Sequence, residues 1–301
     1  MLYLCTRKKC ANYFGRYTMQ ILTRHGLLGL EEPVVMAILN VTPDSFVPST
    51  GLLRSGAAGE GLLDLIARRA EKVLEDGARI LDIGGYSTRP GAAEVSMEEE
   101  WRRVETALGV IGRRFPQAVV SVDTFRPEIA RRAVEDYGAD IVNDISGGSE
   151  AMYETVAELK VAYILMHMRG TPATMQRMTD YGDIMAEMMA YFRQRVDTLH
   201  RMGVADVVVD PGFGFAKTLE QNYEVLGRMR EFEALGCPLL AGMSRKSMLY
   251  KLLDCSPEEA LNATTAVNMV ALQQGAHILR VHDVREAVEC IKIWKCIDSR
   301  I

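Results

Sequence analysis

Eight short apolar runs alternate with longer amphipathic stretches, and most of the runs carry a polar residue near the carboxyl end. Together these observations predict an α/β chain folded as a single (β/α)8 TIM barrel, with its active site at the C-terminal rim of the parallel strands. The runs are VVMAILN (34–40), ARILDIG (78–84), AVVSVD (118–123), DIVNDI (140–145), AYILMH (162–167), DVVVDP (206–211), PLLAGM (238–243) and HILRVH (277–282). They are nearly continuous in apolar residues, as parallel strands covered on both faces require. No run leads into a complete GxGxxG fingerprint, which favours the barrel over a doubly wound sheet.

The intervening stretches read as helices with legible ends. Leu62, Ile66, Ala70 and Val73 line one face before Gly77, Ser96 and Glu99 are spaced as a capping box, and Pro127 fits a first helical turn. Ser256, Pro257 and Glu259 repeat the helix-start signal. Met185, Met188, Met189, Phe192, Val196 and Leu199 fall at helical spacing and read as a core stripe.

The chain has 301 residues, 48% hydrophobic and 25% charged, enough for one large core. Its net charge of -5, without long charge blocks, excludes general attraction to nucleic acid or an anionic membrane. No apolar run approaches the roughly 20 residues of a membrane span. Six cysteines without a CxxC pair, and no signal peptide, point to reduced thiols in the cytoplasm. Residues 1–32 read as an N-terminal extension, flexible or a short hairpin, and residues 33–301 as the barrel domain. Arg7, Lys8, Lys9, Arg16 and Arg24 precede the first acid, Glu31, so an organelle transit peptide is the other reading of that extension, as is a true start at Met19.

Asn40, Asp82, Asp123, Asn143, His167, Asp210 and His282 lie at or near strand ends. Any one of them would serve as a turn or capping residue, but in a parallel barrel these ends share one rim. Strand alternation puts Ser121 with Asp123, Ile141 with Asn143, and Arg280 with His282 on common sides; Asp144 points the other way as a supporting residue. Asp123, Asn143 and Asp210 suit a flat heterocycle with N–H donors and ring acceptors. Arg89, Lys246, Arg280 and His282 add positive charge, so a ligand part heteroaromatic and part polyanionic would use both sets.

The ordered motifs ILNVTPDSF (38–46), DIGGYSTRPGA (82–92), SVDT (121–124), IVNDISGG (141–148), MHMRGTP (166–172), DPGFGFAK (210–217), MSRKSML (243–249) and LRVHDV (279–284) resemble those of the dihydropteroate synthase family. The resemblance covers roughly residues 34–290. It implies a folate-pathway transferase that joins 6-hydroxymethyl-7,8-dihydropterin diphosphate to p-aminobenzoate, a sulfonamide target, cytoplasmic and homodimeric, using Mg2+. It further implies that Asp210 takes the pterin 2-amino and N3–H groups, Asn143 and Asp123 the N1 and N8 edge, and Lys246 the O4 and N5 side. Met166 and Phe215 would line the pterin slot. Arg89, Arg280 and His282, with Thr88, would hold the diphosphate, and Asn40 the metal. Phe46, Pro90 and Ser247 would wall the p-aminobenzoate slot, with Gly84, Gly85 and Gly91 bending the 84–92 loop over the site. Catalysis would fall to Arg89, Lys246, Arg280 and His282.

The chain departs from the family pattern in places. VPSTG follows NVTPDSF where an acidic, glycine-rich turn is common, so an aspartate linked with metal and loop closure is missing. Tyr86 stands where Glu is frequent, and Ala37 and Ala216 where Gly is usual. A pterin-dependent methyltransferase and a catalytically silent pterin-binding homologue remain alternatives. The STRPG loop and RVHDV, which by this resemblance would serve a diphosphate, favour the synthase.

Overall fold

The computed structural model of the protein describes residues 19–42, 60–86, 94–171 and 174–298. A hairpin comes first, β1 (Gln20–Thr23) and β2 (Gly26–Gly29). Eight parallel strands follow: β3 (Val34–Asn40), β4 (Ile80–Gly84), β5 (Val119–Asp123), β6 (Ile141–Asp144), β7 (Ala162–Met166), β8 (Val207–Asp210), β9 (Leu240–Ala241) and β10 (Ile278–Val281). Their spatial order is β8-β7-β6-β5-β4-β3-β10-β9. A single parallel bridge between Val209 and Leu239 joins the two ends and closes the barrel. The run at 238–243 therefore yields a strand of only two residues, the shortest in the barrel.

Around the sheet lie α1 (Glu60–Glu75), α2 (Met97–Arg114), α3 (Pro127–Tyr137), α4 (Glu150–Leu159), α5 (Ile184–Arg201), α6 (Leu219–Gly227), α7 (Ser247–Tyr250), α8 (Leu261–Gln273) and α9 (Val284–Asp298). Two expected helix starts are corrected. Ser96 caps α2 by accepting from the Glu99 N–H at 3.2 Å, but the Glu99 carboxylate is drawn to Arg102 and Arg103, so the box is half made. Ser256 and Glu259 do bond reciprocally, yet they close a turn, and α8 begins later, at Leu261. The complete box is at α6, where Thr218 and Gln221 each satisfy the other's N–H.

Strand alternation divides the apolar residues into two layers. Val35, Leu81, Ile83, Val120, Val122, Val142, Tyr163, Val209 and Leu279 face outward into the helix-packed core. Met36, Ile80, Ile141, Ile164, Val208, Leu240 and Ile278 fill the barrel's lower interior, where Ile21, Leu28 and Leu30 of the hairpin segment pack against them. The hairpin is also tied to the barrel by polar contacts. Leu22 N–H donates to Asp206 Oδ2 at 2.9 Å, Arg24 N–H to Asp140 Oδ1 at 2.8 Å, and the Arg24 guanidinium to the Ala118 carbonyl at 2.8 Å. It acts as a stopper for the end opposite the rim.

Ile21 is fully buried in that stopper. Its replacement by Ala should destabilise the fold by about 2 to 5 kcal/mol, the range for truncating a large buried aliphatic residue. Urea denaturation checks this, and a loss under about 0.5 kcal/mol, the level of an ordinary surface change, would mean that the hairpin does not seal the core.

Candidate active site

Above the lower apolar layer the inward positions become polar. Arg280, on β10, reaches across the barrel, donating from Nε to Asp82 Oδ2 at 2.6 Å and from a terminal nitrogen to Asp123 Oδ2 at 2.5 Å. Asn143 Nδ2 donates to the same Asp82 oxygen at 3.1 Å. Asp82, Asp123, Asn143 and Arg280 thus form one connected set on β4, β5, β6 and β10. Burial lifts the Asp123 carboxyl to about 7, with Arg280 opposing the rise and Asp82 adding to it. Asp144 turns outward, where its carboxylate accepts from Tyr163 Oη at 2.9 Å and from Ser146.

A second group comes from β8 and the loops after β8 and β9. Asp210 Oδ1 accepts from the Gly212 N–H at 2.7 Å, and burial raises its carboxyl, with Lys246 pulling the other way. Lys246 Nζ donates to the Phe213 carbonyl at 2.6 Å and lies 4.6 Å from the Phe215 ring centroid. Burial brings its ammonium down to about 8, against the attraction of Asp210 and with repulsion from Arg280. Met166 is buried beside Ile145, Met168, Met175 and Ala216, with Phe215 packed on them. Ser247 follows Lys246 as the first residue of α7.

His282 is paired through Nδ1 with Ser244 Oγ at 3.0 Å, and its own N–H donates to that oxygen at 3.2 Å. Asn40 ends β3, and its Oδ1 lies 3.0 Å from where a Cβ on Gly84 would be, with Asp123 on the other side. Gly85 is equally crowded: a Cβ there would come within 2.8 Å of the Glu100 carbonyl. Neither glycine has the positive φ that would make it a bend, so close approach is what excludes a side chain at both. Phe46, Thr88, Arg89, Pro90 and Gly91 lie outside the described residues.

His167 is not a rim ligand. Strand alternation turns it away from the interior, edge-on to Tyr191 at 4.7 Å, and burial lowers its imidazole to about 2, so it is neutral. Its Nδ1 meets Lys217 Nζ at 3.2 Å; Lys217 also donates to the Gly212 carbonyl at 3.0 Å and the Phe215 carbonyl at 3.2 Å. Strand-end logic passes over Lys217 because it sits seven residues after Asp210, in a loop. Its sequence signal is a lone cation closing the apolar, glycine-rich stretch PGFGFAK. By clasping both ends of that loop it shapes the surface that Phe215 and Asp210 offer. Ala216 takes a positive φ of 46°, which explains why glycine would be at ease there.

The profile described as "pterin binding enzyme" matches residues 36–282. Dihydropteroate synthase of Escherichia coli K12 is 44% identical over 278 residues, covering 91% of this chain and 95% of the relative. The crystal structure of Yersinia pestis dihydropteroate synthase in a sulfonamide drug complex superposes with a TM-score of 0.85 at 39% identity, covering 93% of this chain and 100% of that one. The Thermus thermophilus dihydropteroate synthase, solved in complex with 4-aminobenzoate, gives a TM-score of 0.80 at 35% identity, covering 92% and 99%.

Burial brings Lys217 down to about 7, with Asp210 resisting the fall. A lysine depressed on folding gives up its proton in the native state first, so between pH 7 and the unfolded value near 10.5 the native state gains stability as pH rises. Relative to Lys217→Met, the wild type should therefore gain about 2 kcal/mol between pH 7 and pH 9. Paired urea titrations at the two pH values measure it, and a pH-independent difference would contradict the buried, depressed ammonium.

Proposed function

The chain belongs to the pterin binding enzyme family, and from that membership we propose how its rim performs the dihydropteroate synthase reaction. It is a folate-pathway transferase, condensing 6-hydroxymethyl-7,8-dihydropterin diphosphate with p-aminobenzoate to give 7,8-dihydropteroate and diphosphate. The observation that carries the residue assignment is the convergence of Asp123, Asn143 and Asp210 with Lys246 and Arg280 over one barrel mouth. Carboxylates and an amide meet the donors and acceptors of a flat ring, while cations stand where an anion must leave.

In this reading Asp210 accepts from the pterin 2-amino and N3–H groups, Asn143 and Asp123 hold the N1 and N8 edge, and Lys246 donates toward O4 and N5. Met166 and Phe215 form the slot walls. Arg280 and His282, with Thr88 and Arg89 from the sequence after β4, hold the diphosphate. As the carbon–oxygen bond breaks, its electron pair goes to the diphosphate oxygen, and these cations stabilise the charge that develops there. The p-aminobenzoate nitrogen then forms the new carbon–nitrogen bond with its lone pair and sheds a proton. Phe46, Pro90 and Ser247 wall the slot that presents it. Such a dissociative path needs no strong base, and the inward polar set contains carboxylates engaged with Arg280 in place of a free nucleophile and base pair.

Mg2+ fits the site through Asn40, whose hard carboxamide oxygen lies at the rim, across Gly84 from Asp123. Among the described residues no group of three or more His, Cys, Asp or Glu could hold a metal without the substrate. Asn40 with phosphate oxygens and water is the coordination such an ion favours, and the ion would neutralise the diphosphate. The reading also takes residues 33–301 as one domain in a cytoplasmic homodimer. The exposed Val270, Ile293 and Ile297 of α8 and α9 support a subunit contact there.

Purified protein given dihydropterin diphosphate, p-aminobenzoate and Mg2+ should form dihydropteroate, quantified by chromatography, and EDTA should abolish it. Absence of product with pterin still bound would make the chain a silent homologue. Asp210→Ala should cost about 2 to 5 kcal/mol in pterin binding, as expected when one partner of a buried charged hydrogen bond is removed. Calorimetry that found an unchanged affinity would remove Asp210 from the pterin edge.

A further inference from the structure

Asp82 lies within β4, one inward position below Gly84, and is completely buried. Its Oδ2 accepts from both Arg280 and Asn143, whereas its Oδ1 is buried with no hydrogen-bond partner among the described residues. Ser121 Oγ, in register with it on β5, is also buried and without a partner among them. A buried carboxylate with one oxygen unpaired by protein groups is costly, and the oxygen that is engaged, Oδ2, carries its structural work.

Arg280 is held by two carboxylates at once. If Asp123 turns to a pterin N–H, Arg280 would be left as a buried, unpaired charge, which is strongly unfavourable, unless another carboxylate keeps it. Asp82 is placed to do so, since it bonds Nε while Asp123 bonds the terminal nitrogen. The same Asp82 oxygen fixes which way the Asn143 amide faces, because only its NH2 end can approach a carboxylate.

We propose that Asp82 is a positioning residue that selects the dihydro form of the pterin. It keeps Arg280 paired, frees Asp123 to accept from the ring N8–H, and locks the Asn143 amide beside it. This rests on the pterin assignment above. A 7,8-dihydropterin carries hydrogen on N8, whereas the fully oxidised pterin has a bare ring nitrogen there and would set its lone pair against the Asp123 carboxylate. Without the Asp82 charge, Arg280 has Asp123 as its remaining carboxylate, and Asp123 is drawn away from the ligand.

The test compares 6-hydroxymethyl-7,8-dihydropterin with 6-hydroxymethylpterin by anaerobic calorimetry on wild type and Asp82→Asn, a variant of nearly equal size. Wild type should prefer the dihydro form, and the variant should lose about tenfold of that preference, the scale of one charge-assisted hydrogen bond. A filler role would weaken both ligands alike, so a folded variant whose preference stays within about threefold of wild type overturns the proposal, as does a wild type with no preference. Should the variant fail to fold, nitrogen-15 NMR of the wild-type arginine side chains decides. The Arg280 Nε–H should stay protected from exchange when dihydropterin binds, and loss of protection would show that Asp82 does not hold it. Wild-type turnover separates the two levels of inference. A chain that makes dihydropteroate but fails these tests loses only the Asp82 role, whereas one that neither binds pterin nor turns over loses the pterin assignment and this role together.

Discussion

The bridge from Arg280 to Asp82 and Asp123 is the constraint on which the upper half of the barrel depends. Two carboxylates that close would repel each other in a low-dielectric interior, and a lone guanidinium there would be no better off. Set at 2.6 and 2.5 Å, the three charges make a buried polar floor possible. They link β10 to the adjoining β4 and β5, 198 and 157 residues away in sequence, so the floor is also a cross-brace.

From that floor the rest of the interior follows by alternation. Below it, inward residues are apolar and pack against the hairpin; at its upper edge Gly84 carries no side chain, where Asn40 and Asp123 crowd in from either side. The change from apolar to polar occurs within single strands: Ile80 and Asp82 on β4, Ile141 and Asn143 on β6, Val208 and Asp210 on β8, Ile278 and Arg280 on β10. One face of each strand thus serves stability at one end and recognition at the other.

That pattern was largely open to reading from the sequence because both of its periods are local. The run at 34–40 matches β3 residue for residue, and the inward parity of Asp123, Asn143 and Arg280 needed only counting by two. What escaped depends on contacts between distant segments. His167 counts among the strand-end residues, but α5 covers it, and Lys217 is shaped by carbonyls and an imidazole that no spacing rule brings together. For Gly84 and Gly85 the structure adds a reason for their size that spacing does not carry, because Asn40, Asp123 and Glu100 crowd them. The run at 238–243 yields a strand of two residues beside a single bridge at Leu239, because strand length is set by neighbours as much as by composition. The Glu99 half of the predicted cap lost to nearby arginines, a competition that a motif does not record.

The hairpin at the foot of the barrel has a consequence for assembly. It is made by residues 20–29, which precede every strand of the barrel, yet its apolar side belongs to one cluster with residues of strands as late as β9 and β10. Its anchors at Ala118, Asp140 and Asp206 are likewise distant, and contacts of such long sequence separation slow folding. The hairpin segment therefore waits, its apolar face uncovered, until the last barrel strand closes the ring. Commitment to the native topology comes late, when the segment that precedes the barrel meets its last strands at the foot of the ring.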